Sequence, residues 1–285
     1  MQPHLSPDGK RLAVQILSST GDWSIWVYDF ERDTLTQLTF LKGLNADPVW
    51  TPDGNHLAFR SNAGGAQGIY WIRADGGEPQ RLTDSKRTQN PTSFSPDGKR
   101  LAFVEEGRDL WTLPLEDRGT DHPRPGQPEL FLQGRFVQIN PQFSPDGRWI
   151  AYTSSESGRS EIYVRPFTGA SPATGDKWLV WTAGGSIPYW ARNGRELFYM
   201  NLDRRLMVVT YTVKGGVFVI DKPRVWSERQ LAPFTDTWTF DFAPDGKRVL
   251  VFTNLRETEA QKPPTHVTFL FNFFDYLRQR VPARK

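Results

Sequence analysis

Apolar runs a few residues long, each closed by turn-forming residues, succeed one another along the chain, as in Leu12-Ala-Val, Ile25-Trp-Val-Tyr, Leu57-Ala-Phe and Ile69-Tyr-Trp-Ile. Such short runs, rich in β-branched and aromatic residues and punctuated by Gly and Pro, predict strands rather than helices. One block recurs: an aromatic residue or Leu, then Ser, Thr or Ala, then Pro-Asp-Gly, most often a basic residue, and an apolar run. It reads Leu5-Ser-Pro-Asp-Gly-Lys-Arg-Leu-Ala-Val, Trp50-Thr-Pro-Asp-Gly-Asn-His-Leu-Ala-Phe, Phe94-Ser-Pro-Asp-Gly-Lys-Arg-Leu-Ala-Phe and Phe143-Ser-Pro-Asp-Gly-Arg-Trp-Ile-Ala-Tyr. A degenerate fifth copy is Trp190-Ala-Arg-Asn-Gly-Arg-Glu-Leu-Phe-Tyr, and the sixth is Phe242-Ala-Pro-Asp-Gly-Lys-Arg-Val-Leu-Val.

The turn residues Asp8, Asp53, Asp97, Asp146, Asn193 and Asp245 are 45, 44, 49, 47 and 52 positions apart. A period of about 40–50 residues is that of a four-stranded propeller blade. Pro pre-sets the first central turn position, Asp takes the second, and Gly supplies a left-handed backbone, so the block predicts a tight hairpin. A third apolar run follows each hairpin (Ile25–Tyr28, Ile69–Ile72, Leu110–Leu113, Ile162–Val164, Leu206–Val209, Val267–Leu270). A more polar fourth run follows most of them (Thr36–Thr39, Gln80–Thr83, Glu129–Leu132, Trp178–Trp181, Arg224–Trp226).

The predicted fold is all-β, a single six-bladed β-propeller of four-stranded antiparallel blades over residues 1–285, with blades at about 3–44, 45–88, 89–137, 138–185, 186–236 and 237–272. Asn272-Phe-Phe-Asp-Tyr-Leu predicts a short C-terminal helix over 273–281, with Asn272 as its N-cap. Blade six is then left with three strands, and the first blade begins at its innermost strand. Both features predict that the chain is the C-terminal part of a longer protein, or that blade six has only three strands.

Composition narrows the functional classes. The 35 basic and 32 acidic side chains leave a formal charge of +3 without a basic cluster, which argues against nucleic acid. There is no cysteine, so disulfides and thiolate metal sites are excluded. Met1-Gln-Pro-His4 leads straight into the repeat with no apolar leader, and Val267–Phe274, interrupted by Asn272, is far shorter than the about 20 residues a membrane span needs.

The Ser-Pro-Asp-Gly-Lys-Arg-Leu-Ala-Phe block, with its Ile-Tyr and Leu-Thr strands, resembles the WD-like repeat of the TolB propeller family over residues 3–272. Three stretches, Phe143–Phe167, Gly184–Tyr199 and Phe271–Leu277, resemble the C-terminal propeller half of bacterial serine/threonine protein kinases. That resemblance implies a sensory domain separated from a kinase by a membrane span. The N-terminal α/β domain of TolB has no counterpart here, nor does any kinase motif, so the chain itself is expected not to be an enzyme.

Candidate chemistry is sparse. Gly-x-Ser-x-Gly, the nucleophile elbow of serine hydrolases, does not occur. His4, His56, His122 and His266 fall at non-equivalent repeat positions and predict no metal site. The repeat aspartates have a turn role, and no cofactor is implied. The segments that lead into the inner strands, Asn45-Ala-Asp47-Pro48, Gln89-Asn90-Pro91, Gln138-Ile-Asn140-Pro141, Gly185-Ser186-Ile-Pro188 and Thr235-Asp236-Thr-Trp238, gather small polar groups just before Pro. They predict a ligand-binding rim at one channel mouth made by Asp47, Asn90, Asn140, Ser186, Asp236 and Trp238.

The expected function is non-catalytic binding of a protein, peptide or small-molecule ligand by a monomer that does not insert in a membrane. It would lie in the periplasm or another extracytoplasmic space if the parent carries an upstream span or signal, and in the cytoplasm otherwise. The alternatives are a propeller enzyme, a metal-assisted polysaccharide lyase or lactonase, and a pure assembly scaffold.

Overall fold

Each Ser-Pro-Asp-Gly block folds the chain back on itself in a hydrogen-bonded turn. In the first, Gly9 N donates to Ser6 O (2.8 Å), and Gly9 is left-handed at φ 73°. The Asp8 carboxylate accepts from the Ser6 hydroxyl (2.5 Å) and from Lys10 N (3.0 Å), locking the turn from within. The same contacts return at Thr51–Asp53, Ser95–Asp97 and Ser144–Asp146. In the degenerate copy the Asn193 amide oxygen accepts from Arg195 N at 2.9 Å, so a carboxamide replaces the carboxylate.

The structure, a computed structural model, describes residues 3–65, 67–117, 120–169, 172–173, 175–231, 240–251 and 268–269. Among them there is no helix, and the strands form six sheets. The first holds β1 (His4–Leu5), β2 (Arg11–Leu17), β3 (Trp23–Asp29) and β4 (Thr34–Gln37). The second holds β5 (Asn45–Trp50), β6 (His56–Ser61), β7 (Gly68–Arg73) and β8 (Gln80–Arg81). The third comprises β9 (Gln89–Phe94), β10 (Arg100–Glu105), β11 (Asp109–Glu116), β12 (Arg124–Pro125) and β13 (Glu129–Leu132). In the fourth are β14 (Gln138–Phe143), β15 (Trp149–Ser154), β16 (Glu161–Pro166) and β17 (Trp178–Leu179). The fifth has β18 (Ser186–Trp190), β19 (Glu196–Met200), β20 (Arg205–Lys214), β21 (Val217–Ile220) and β22 (Arg224–Gln230), and the sixth β23 (Phe240–Phe242), β24 (Val249–Val251) and β25 (Thr268–Phe269).

The second strand of each sheet shows how the sheets pack. Its side chains alternate, so the outer members of Leu57-Ala58-Phe59 join the core shared with the first sheet, while Ala58 joins the core shared with the third. Leu101-Ala102-Phe103 and Ile150-Ala151-Tyr152 repeat the arrangement one sheet further on. Large side chains thus meet the alanine of the preceding sheet, which lets two close-packed sheets interdigitate. A strand buried on both faces reads as a continuous apolar run, which is why these runs show no polar alternation in the sequence.

The succession closes on itself. Leu250 of the sixth sheet packs against Leu12 and Val14 of the first. Leu5 N donates to Asp241 Oδ2 at 2.6 Å, and Arg192 donates to the carbonyl of Pro7. Gly9 abuts Pro244, where an added Cβ would lie 2.8 Å from the ring. Gly54 meets Pro7 and Gly147 meets Pro96 in the same way, so the closing turn contact copies the internal ones.

Two features depart from the expected plan. The third and fifth sheets have five strands, not four, through β12 and through β21, a hairpin from β20 across Gly215–Gly216. They belong to the two longest repeat spacings, 49 and 52 residues, so the extra length is spent on an added strand. Second, β25 pairs with β24 in parallel, not antiparallel as a simple meander requires. A parallel neighbour needs a long crossover of a dozen or more residues, and 16 residues separate the two strands. The helix expected over 273–281 lies outside the described residues. No helix among the described residues is long and apolar enough to cross a membrane.

Candidate functional site: the central channel

The residue preceding the aromatic or Leu of each repeat block lies on the innermost strand, on the side facing the axis. These six residues are His4, Val49, Ser93, Gln142, Tyr189 and Asp241, one from each sheet. Together with the turn prolines Pro7, Pro52, Pro96 and Pro145, and with Arg192, they line a central cavity of about 320 Å³. A larger groove of about 670 Å³ runs between the second and third turns past Asp53, Asp97 and Asp117. The central cavity is the better candidate, because all six sheets converge on it and its polar groups point inward; Asp53 and Asp97 are held by their own turns.

Part of the ring staples neighbouring sheets together. The Ser93 hydroxyl donates to Pro141 O (3.1 Å) and accepts from Phe143 N (3.1 Å). Asp241 repeats that geometry at the closure, accepting from Leu5 N and, through Oδ1, from Phe242 N at 2.8 Å. Trp50 Nε1 donates to His4 O (2.7 Å) and Trp190 Nε1 to Gln142 O (2.9 Å), each reaching the preceding sheet. Gln142 Nε2 donates to Thr92 O at 3.2 Å.

The titratable members are strongly perturbed. Burial pushes the Asp241 carboxyl up to about 7, against the two backbone N–H donors and the Arg192 charge that favour its ionised form. His4 is pulled down to about 4 by burial and then by Arg192, so its ring is neutral at physiological pH. The Tyr189 hydroxyl is pushed up by burial and by the Asp241 charge, and among the described residues it donates one long bond, to Phe242 O (3.4 Å).

The other channel end carries the segments singled out in the sequence. Asp47, Asn140 and Ile187 have positive φ (55°, 57° and 58°), each immediately before a proline and at an inner-strand irregularity. A left-handed non-glycine residue before Pro is sterically disfavoured and stores about 1–3 kcal/mol. Asp47 is buried, and Arg60 Nε lies 2.8 Å from its carboxylate, while its own N–H donates to Gln15 Oε1 (2.9 Å). Burial pushes its carboxyl up, with Arg60 opposing. Asp47 of the expected rim is therefore a buried group partnered by Arg60.

Asn140 and Ser186 are half-buried at equivalent strand ends. Asn90 stays in register with Val104, and the irregularity of that sheet falls one step later, so it does not share the Asp47 geometry. Asp236 and Trp238 lie outside the described residues. The three described histidines do not converge: His4 lines the channel, His56 stacks on Trp71 (4.8 Å), and His122 is exposed. His4, Tyr189, Arg192 and Asp241 were missed because they share no residue type. Aligning the repeats on their aromatic position would have placed three of them on one ring, and Arg192 as the single replacement of a turn proline.

Residues 1–122 match the family described as the TolB beta propeller domain. An uncharacterised peptidase of Bacillus subtilis, YuxL, is 26% identical over 192 residues, covering 54% of this chain and 29% of the relative. The Tol-Pal system protein TolB of Francisella tularensis subsp. holarctica is 25% identical over 202 residues, covering 67% of this chain and 44% of that protein. The chain thus spans less than two thirds of either relative. A solved structure of an Agrobacterium tumefaciens chain assigned as TolB matches with a TM-score of 0.58 at 22% identity, over 86% of each chain, and shares the fold.

Proposed function

The chain carries a TolB-like β-propeller, and on that footing we propose that it is a non-catalytic binding propeller of six blades. Its ligand is a protein or peptide held at the lead-in rim, where Asn90, Asn140, Ser186, Asp236 and Trp238 supply the polar and aromatic contacts. Asp47 shapes that rim from beneath through Arg60. The parent is a larger bacterial signalling or envelope protein, such as a serine/threonine kinase, and the propeller works in an extracytoplasmic compartment as a monomer. A peptidase reading, suggested by the Bacillus relative, finds no Gly-x-Ser-x-Gly elbow in this sequence.

The observation that carries the reading is the left-handed conformation shared by Asp47, Asn140 and Ile187 before their prolines. Backbone strain repeated at one end of a channel needs the surrounding structure to hold it, and such strain clusters at binding sites. The test is selection of peptides from a random displayed library against the purified chain. Selected peptides should bind at least tenfold more weakly to the N90A/N140A/S186A variant while its melting temperature stays within a few degrees. Peptides that bind the variant as tightly as the wild type would remove the rim from the account.

A further inference from the structure

The turn-side mouth of the channel lies opposite that rim, and one side chain there breaks the repeat. Five blocks place proline at the first turn position, as Pro7, Pro52, Pro96, Pro145 and Pro244, and the fifth block places Arg192. The substitution puts a permanent cation on the wall of a 320 Å³ cavity otherwise edged by prolines. Its Nη1 is anchored on the Pro7 carbonyl, which fixes the guanidinium across the mouth and, among the described residues, leaves the rest of its N–H fork for a guest.

Two further groups on this wall are underused. Among the described residues His4 Nδ1 is buried with no hydrogen-bond partner, and the Tyr189 hydroxyl makes a single 3.4 Å contact. An unsatisfied buried nitrogen is costly and rare in native proteins. The cavity is also walled by Trp50, Phe94, Phe143 and Trp190. Its volume is at the small end of those that hold small organic molecules, about 300–1,000 Å³.

We propose that the turn-side mouth binds a small organic monocarboxylate, with Arg192 pairing the carboxylate, Tyr189 and His4 completing its hydrogen bonds, and the inner aromatic residues covering its apolar body. Arg presents a planar fork that matches a carboxylate. The nearby acids do not compete for that fork. Asp241 is turned onto Leu5 N and Phe242 N. Asp8, Asp53, Asp97, Asp146 and Asp245 each accept from the backbone of their own turn, and Arg11 is occupied over Trp50 and on Gly54 O.

The charge around Arg192 changes with pH through Asp241, because burial pushes it up to about 7, while the shifts of the turn aspartates Asp8, Asp53, Asp146 and Asp245 are downward. His4, down at about 4, stays neutral. The carboxylate is therefore held more tightly at about pH 6, where Asp241 is mostly protonated, than at about pH 8, where its charge opposes the guest.

Titration calorimetry with sodium benzoate, benzamide and benzylamine tests the site. Benzoate should bind, several-fold more tightly at about pH 6 than at about pH 8, and the neutral and cationic analogues should not. R192P restores the residue of the other five blocks and R192Q keeps the stem without the charge. Each should lose benzoate binding while keeping the circular dichroism spectrum of the wild type. Benzoate binding that survives in a folded R192P or R192Q, preference for benzylamine, or no benzoate binding at all would overturn the assignment. None of these outcomes bears on the opposite rim.

Discussion

The turn aspartates and Asp241 are the same residue type with opposite fates. For Asp8 burial alone would raise the carboxyl, but the Ser6 hydroxyl and Lys10 N–H outweigh it and hold it below its usual range. Asp241 also receives two N–H donors, yet its complete burial prevails and raises it. Its raised folded value stabilises the protein fully below its ordinary 3.8, and that contribution is lost as pH climbs through about 7. His4 has the opposite sign: its lowered value stabilises above 6.5 and that contribution is lost as pH falls through about 4. Urea unfolding at about pH 5 and pH 8 should therefore show wild type losing on the order of 1–4 kcal/mol relative to D241N on going to the higher pH. A pH-independent difference between the two would place Asp241 in solvent. The turn carboxylates were legible in the sequence because their partners are two residues away. The pairing of Asp47 was not legible, because its partner, Arg60, sits across the sheet on β6 and nothing local announces it.

At the scale of the element, the Leu-Ala-Phe run carries more information than its hydrophobicity. Ala13, Ala58, Ala102 and Ala151 are fully buried and face the large residues of the following sheet. Where the fifth block has Phe198 in that place, the ring packs on Phe242 at 4.3 Å between centroids, and Trp226 joins the cluster. The replacement of Ala by Phe thus matches a change in the next sheet. An added side chain at Ala102 has no such relief against Ile150 and Tyr152, and A102L should cost about 1–3 kcal/mol. Chemical denaturation would show it as a lower midpoint with an unchanged slope, and a neutral A102L would mean the two sheets are not interdigitated. Strand positions were readable from the sequence because the block repeats. The added strands β12 and β21 were not, since they replace no repeated residue and lengthen only the spacing.

At the scale of the molecule, the described residues form six apolar clusters between neighbouring sheets, and the one between the sixth and first sheets buries Leu12, Val14 and Leu250 among the described residues. Further contacts reinforce that seam: Asp241 accepts from Leu5 N, the Pro244 ring packs against Gly9, and Arg192 of the fifth sheet reaches across to Pro7 O. Propeller closure by side-chain clasps suits a site at the axis, because the groups that reach the first sheet, Asp241 from the sixth and Arg192 from the fifth, also line the cavity. The seam and the binding mouth are then one structure, and a guest on Arg192 would strengthen closure by mass action. Repeat number and turn geometry foretold a ring, but not which residues fasten it, since the contacts join positions more than 180 residues apart.

The most direct test of that account is hydrogen exchange at the Leu5 amide, whose N–H is bound by Asp241 across the seam. A closed ring predicts that Leu5 exchanges as slowly as the amides of Leu57 and Leu101 on the second strands β6 and β10, and that D241A speeds Leu5 by orders of magnitude while those two change far less. Exchange of Leu5 in the wild type at the rate of an exposed terminus would mean that the first and last sheets do not meet, and the channel as described here would not exist.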